Sequence, residues 1–315
     1  MGRMRSIVTV PGASKACLSK SRKSPHNSKY KAPKNSVTGR KSAGLRLVVS
    51  GHSFIRHWKW VTLNTITPPV SQGDRCDRNV QNQPIQVYRD ATHDQSEMLA
   101  NRLEVTTVYR RVFTVAKGIS LIADLLDTLR PTNFIPIWIS KNPDAVVVAI
   151  GSNDLAKLYN NFTQSQVRTL AHDLKAFAAA FNPSIPVTFM GVVPRDYRSL
   201  DPGMIDQVNF RSAARVFNEE LQRLEDEALG VRDNPTLDPT PTNFRYGRMR
   251  GWDYCQVMGQ QVELPVSSWA NSGGVHPRNS VYLDKWNKSL KNIAHHPKSK
   301  PSEHPRRPPR RQVVA

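Results

Sequence analysis

The chain has 315 residues, 38% of them hydrophobic, and a net charge of +20, so it can bury a real core in one large domain or two modest ones. No run approaches the roughly 18 consecutive apolar residues of a membrane-spanning helix. Three scattered cysteines, Cys17, Cys76 and Cys255, exclude a disulfide framework and a Cys-x-x-Cys zinc site and fit a reducing compartment.

The first segment, 1–44, carries eleven Lys and Arg and no acid. It is rich in Ser, Lys, Pro and Asn and reads as a disordered basic tail. Its densest cluster, Lys20-Ser21-Arg22-Lys23, reads either as solvated chain or as a nucleic-acid or nuclear-import patch. The segment lacks the apolar core of a secretory signal. It is acid-free like a mitochondrial transit peptide, yet its prolines and lysine clusters oppose the amphipathic helix such a peptide needs. A cytoplasmic or nuclear location is the expectation.

Leu45 to Val49 is a first strand, delivering the turn Gly51-His52-Ser53. Residues 54–60 suit a short helix, with Trp58 and Trp60 as packing residues. Residues 64–100 are polar and suit an irregular surface insertion. Val105 to Val115 suits a second strand, ended by Ala116-Lys117-Gly118. Ile119, Ile122, Leu125, Leu126 and Leu129 then recur at helical spacing until Pro131. The unbroken run Ala145 to Ile150 is the pattern of a strand covered on both faces, and it ends in Gly151-Ser152-Asn153-Asp154.

A helix over 167–181 follows, then a strand over 186–193 ending at Pro194-Arg195. Another helix, 208–228, carries Glu225-Asp226-Glu227 on its expected outer side. A short fifth strand is expected near Asn243 to Tyr246. A polar stretch holding Gly273-Gly274-Val275-His276-Pro277 precedes a last helix over 281–293. Segment 297–315 is a second basic, Pro-rich tail, with six Lys and Arg against one Glu, so the two ends hold sixteen of the twenty net charges. Strands alternating with helices across 45–296 predict one α/β domain, a three-layer α/β/α sandwich on a mainly parallel five-stranded sheet.

Three of these strands end in residues of chemical interest, and a parallel sheet brings such ends to one rim. Ser53 follows the first, Gly118 the second and Asn153 the third; His276 returns late, just before the final helix. A hydroxyl, an imidazole, a side-chain amide and a glycine N–H are the parts of an acyl-transfer site. Ser53 would attack a carbonyl and His276 would take its proton. Asn153, the Gly118 N–H and the Ser53 N–H would bind the oxyanion, with no Cβ at Gly118 to block the substrate. Each residue also has an ordinary reading: Asn153-Asp154 as a helix cap, Gly118 as a turn glycine, His276 as a surface histidine. His57, His172, His295, His296 and His304 show no metal-ligand spacing.

The order Gly51-His52-Ser53, Gly118, Gly151-Ser152-Asn153-Asp154 and Val275-His276 resembles the four blocks of the SGNH hydrolase superfamily, the GDSL esterases, over about residues 45–296. Its most specific part is the strand ending in Gly-x-Asn-Asp. The Gly-His-Ser-Phe-Ile-Arg form of the first block, with Val192-Val193-Pro194-Arg195, also resembles SGNH domains of animal mobile-element open reading frames. The resemblance implies a flavodoxin-like sheet and hydrolysis of a small ester, such as an acetyl ester, without metal or cofactor. It implies Ser53 as nucleophile, His276 as base, and Asn153 and Gly118 in the oxyanion hole.

Two positions depart from the family pattern. His52 stands where an Asp is usual. Gly273 stands where the catalytic Asp is usual, three residues before the His, and sequence cannot place Asp253 or Asp284 beside His276. A second reading follows from the glycine at 273 and the tails: a catalytically weakened scaffold serving as a nucleic-acid-binding or interaction protein, with RNA or single-stranded DNA held by its basic ends.

Overall fold

Five of the apolar runs pair into one parallel sheet. A computed structural model describes residues 44–64, 93–116, 118–130, 142–158, 162–195, 207–231, 238–252, 254–258, 260–271 and 274–295. Most of the two basic tails, with Gly273 and Asp253, lies outside these residues. The sheet strands are β1 (Leu45–Gly51), β2 (Tyr109–Val115), β3 (Ala145–Ala149), β4 (Val187–Met190) and β5 (Phe244–Gly247), in the order β2-β1-β3-β4-β5. All four pairings are parallel. This is the flavodoxin-like order, whose topological switch point lies between β1 and β3, at their carboxyl ends.

Alternation along the strands divides the core in two. Val48, Val146 and Val148 face one side, where they meet α3 (Ile122–Asp127), α4 (Ser152–Lys157), α5 (Gln164–Ala179) and α6 (Gln207–Ala228) through residues such as Leu155, Phe177 and Phe217. Leu47, Val49, Ala145, Val147 and Ala149 face the other side. There they pack on α1 (Ser53–Asn64), α2 (His93–Leu103) and the last helix through Phe54, Trp58, Leu99 and Leu290. The result is the three-layer α/β/α sandwich expected from the sequence. All five residues of β3 are buried. Each buried Val contributes about 1.5–3 kcal/mol, so a charge at Val147 would break the central strand.

Local signals set the helix ends. Val167, Ala171, Leu174 and Ala178 place the apolar stripe of α5 against the sheet. Thr163 caps it: its Oγ1 accepts from Gln166 N at 3.2 Å, and Gln166 Oε1 accepts from Thr163 N at 2.8 Å. Such a reciprocal cap is worth about 1 kcal/mol.

Several expectations need correction. The stretch read as an irregular insertion contains α2, a helix because Ser96, Leu99, Ala100 and Leu103 form one buried face. The helix expected from Ile119 begins at Ile122, because Asp124 Oδ2 accepts the N–H groups of Ser120 and Leu121 and fixes the first turn there. A hairpin of β6 (Tyr254–Val257) and β7 (Gln260–Glu263) had no counterpart in the sequence reading. Glu225, expected outward on α6, is 1% exposed, because α6 is covered on more than one side. Gln222 donates to its carboxylate at 3.1 Å and the Arg245 guanidinium of β5 lies within electrostatic reach. The last helix is interrupted: α7 (Asn279–Val281) leads into a π-helical turn, Tyr282–Trp286, and then α8 (Asn287–His295). Among the described residues no helix is long and apolar enough to cross a membrane.

Candidate active site at the sheet switch point

The strand ends create the site. Gly51 closes β1 with φ +142°, and a Cβ there would lie 1.9 Å from the Ala149 carbonyl oxygen, so only glycine fits so close to β3. The next N–H, of His52, donates to that same carbonyl at 3.2 Å. The chain then turns directly into α1, and Ser53 is the first residue of that helix. Its N–H is one of those that helix geometry leaves without an intrahelical acceptor, and the helix dipole puts positive potential there.

Ser53 Oγ and His276 Nε2 are 2.8 Å apart although 223 residues separate them in sequence. The His276 backbone is pinned from both sides. Its carbonyl accepts the Asn271 N–H at 2.7 Å, Gly274 N donates back to Asn271 O at 2.9 Å, and Pro277 bridges to Ala270. The His276 ring lies flat on His57, with centroids 4.2 Å apart and planes 11° apart. Phe54 abuts it with centroids 5.2 Å apart. The π-helical turn supplies Trp286 against Phe54 at 5.6 Å and Tyr282 behind His57 at 6.5 Å. A widened turn is often found at such positions.

His52 has a structural job. It is 2% exposed, and its Nδ1 accepts the Phe54 N–H at 3.3 Å, so an imidazole caps α1. Burial, with the positive charge of Arg195 next in weight, holds its pKa well below the ordinary value of 6.5. Only the neutral ring can accept at Nδ1, so the cap and the burial favour the same form.

Asn153 sits in α4, just past β3 and across the switch point from Ser53. Its Oδ1 accepts from Arg195 Nη2 at 2.9 Å, and its Nδ2 donates to Ser120 O at 2.9 Å and Ser120 Oγ at 3.1 Å. Arg195 can only donate, so it fixes which way the amide points. Arg195 itself is 3% exposed, with its guanidinium 5.5 Å from the Phe54 ring centre and 5.7 Å from that of Phe210. Asn218 of α6 holds the strand end that delivers it, accepting from Val192 N at 2.8 Å and donating to Val192 O at 2.9 Å.

Gly118 lies three residues beyond β2 with φ +75°, which is the reason for glycine there; a Cβ would meet nothing within 4 Å, so the space beside it is open. The loop it belongs to is tied to the Asn153 end twice, by Asn153 to Ser120 and by Asp154, whose carboxylate accepts the Ile122 N–H at 3.1 and 3.2 Å. Burial pushes the Asp154 carboxyl up to about 6 against the lowering by that N–H.

Ser53 and His276 thus meet directly, and Asn153 is bound to the loop that follows Gly118. The sequence reading passed over His57, Ser120 and the role of Arg195. The only sequence signal for His57 is its place one helical turn after Ser53, on the same face. Arg195 entered the sequence reading only as the end of the Val192-Val193-Pro194-Arg195 stretch, with no role assigned. No group of three or more His, Cys, Asp or Glu among the described residues could hold a metal ion.

No protein-family model matches the chain, and no curated protein matches it in sequence. Solved structures similar to it include an acetylxylan esterase from Geobacillus stearothermophilus, at 13% identity and TM-score 0.41, covering 79% of this chain and 94% of that one. A GDSL-like lipase from Bacteroides thetaiotaomicron is similar at 13% identity and TM-score 0.39, covering 79% and 87%. A lipase from a goat rumen metagenome is similar at 12% identity and TM-score 0.40, covering 80% and 97%. Likeness at this level assigns no activity to the chain.

Proposed function

We propose that the protein is a serine ester hydrolase of the SGNH type, acting on a small ester. The observation that carries this reading is the 2.8 Å approach of Ser53 Oγ to His276 Nε2 at the switch point of a parallel sheet. In this reading Ser53 Oγ attacks the ester carbonyl carbon while its proton passes to His276 Nε2. The negative charge that develops on the carbonyl oxygen meets the Ser53 N–H at the start of α1, the Gly118 N–H and Asn153 Nδ2. To serve there, Asn153 Nδ2 would exchange its 3.1 Å contact with the exposed Ser120 hydroxyl for the oxyanion. Collapse of the tetrahedral species expels the alcohol, which takes the proton from His276. Water then attacks the Ser53 acyl ester with His276 as base, releasing the acid.

The test is hydrolysis of p-nitrophenyl acetate together with labelling by a fluorophosphonate. The purified protein is expected to turn over the ester and to take up the label on Ser53, and Ser53→Ala to abolish both. Equal rates for the two proteins, or no labelling of an ester-active wild type, would overturn the assignment.

A further inference from the structure

We propose that His57 is the positioning residue of the base, holding the His276 ring in its working orientation through face-to-face stacking. The proposal rests on the reading of Ser53 and His276 as nucleophile and base. In a Ser-His-Asp site a carboxylate on Nδ1 fixes the tautomer and the plane of the imidazole. Here the position three residues before His276 is glycine, and the His57 ring lies flat on the imidazole.

The geometry is specific. Ser53 and His57 are one turn apart on α1 and present one face. The His276 ring lies across both: its Nε2 meets Ser53 Oγ at 2.8 Å and its plane lies on His57, 11° from parallel. His57 is 5% exposed and is backed by Tyr282, whose ring is inclined 21° to it. Phe54 blocks a further side at 5.2 Å and 58°. Rotation of His276 about its Cβ–Cγ bond would drive ring edges into His57, so Nε2 stays on the hydroxyl. His57 does this through the ring of the base, on which it lies.

The test combines steady-state kinetics with 15N NMR of histidine side chains in wild type, Ser53→Ala, His57→Leu and His57→Phe. His57→Leu keeps buried volume without a flat face, and His57→Phe keeps the face without ring nitrogens. His57→Leu is expected to lower kcat for p-nitrophenyl acetate about tenfold or more with KM within about twofold, a part of what a general base supplies. His57→Phe is expected to recover most of that loss. In the spectra, wild type and His57→Phe should show His276 as one tautomer with the proton on Nδ1, and His57→Leu a mixture. Unchanged kcat and tautomer in His57→Leu, or His57→Phe impaired as much as His57→Leu, would overturn the proposal. If Ser53→Ala hydrolyses the ester at the wild-type rate, the esterase reading falls instead, and the tautomer comparison still decides the role of His57.

Discussion

The ends of β1 and β3 are built on the same plan and held by opposite means. β1 closes at Gly51, φ +142°, and β3 is followed two residues on by Gly151, φ +95°, and each glycine leads into a helix carrying a candidate site residue. At the β1 end the polar groups are imidazoles set among rings: His52 against Phe54 at 4.6 Å, and His276 between His57 and Phe54. At the β3 end they are held by hydrogen bonds, Arg195 to Asn153 to Ser120 and Asp154 to Ile122. In the proposed reading Ser53 needs a fixed distance to a base that returns from far along the chain, and ring packing around His276 would give that without charge. An oxyanion site at Asn153 would need an oriented dipole, and the buried Arg195 cation orients that amide. Arg195 joins the two, lying over Phe54 while it donates to Asn153.

The largest effect should come from removing the dipole on the β3 side. Asn153→Ala is expected to lower kcat by about 10²–10³ with little change in KM, the cost of one oxyanion donor. A change confined to KM would make Asn153 a residue of ground-state binding. The next test concerns stability. The folded-state pKa of Asp154, about 6, lies above its ordinary value of 3.8, so the folded protein binds more protons between those values. Its contribution is therefore full below pH ~4 and is lost as pH rises through ~6. Asp154→Asn keeps an acceptor for Ile122 N and removes the buried charge. After a discount for the solvent that reaches this half-buried group, it should raise stability at pH 7 by about 2 kcal/mol, measured by urea unfolding. A loss of stability would mean that the ionised carboxylate is needed at the start of α3.

Arg195→Met tests the link between the two ends. Met keeps the stem against Phe54 and Phe210 and removes the donor to Asn153, so the amide can turn. The expected outcome is a fall in kcat of about tenfold, smaller than for Asn153→Ala because the amide is still present. An equal kcat in the variant would show that Ser120 alone orients the amide.

The smallest and most selective effect is at His52. Its folded-state pKa lies below the unfolded value near 6.5, so the unfolded chain binds the extra proton. Its contribution is present above pH ~6.5 and is lost as pH falls below that, the opposite sense to Asp154. His52→Asn keeps a cap acceptor and should flatten this acid limb in unfolding curves followed from pH 7 to pH 5. An acid limb unchanged in the variant would assign it to another group.

Much of this was legible in the sequence, and particular residues show why. Ala145 to Ala149 reads as a doubly covered strand because every residue is apolar, and periodicity locates α5 and α6 because burial repeats each turn. Ser53 and Asn153 stand out because each follows an apolar run through a glycine. His276 stands out by its place before the last helix. His57 does not, since a histidine inside a helix has no local mark of what it faces. Ser120 lies on an exposed loop, and Arg195 looks like any residue after a strand. Glu225 was misread for a related reason: helical phase gives one buried face and does not reveal a second neighbour.

The sequence by itself determined where the five sheet strands and most of the flanking helices lie, that they alternate, and that the charge gathers at the ends, because these depend on residues close together along the chain. Only the tertiary structure decided that β1 lies between β2 and β3, and that a loop 223 residues away sets its imidazole 2.8 Å from Ser53. It also decided that His57 lies flat against the His276 ring and that Arg195 donates to the Asn153 amide. Those contacts depend on which strands pair and which helices pack, and no local period records them.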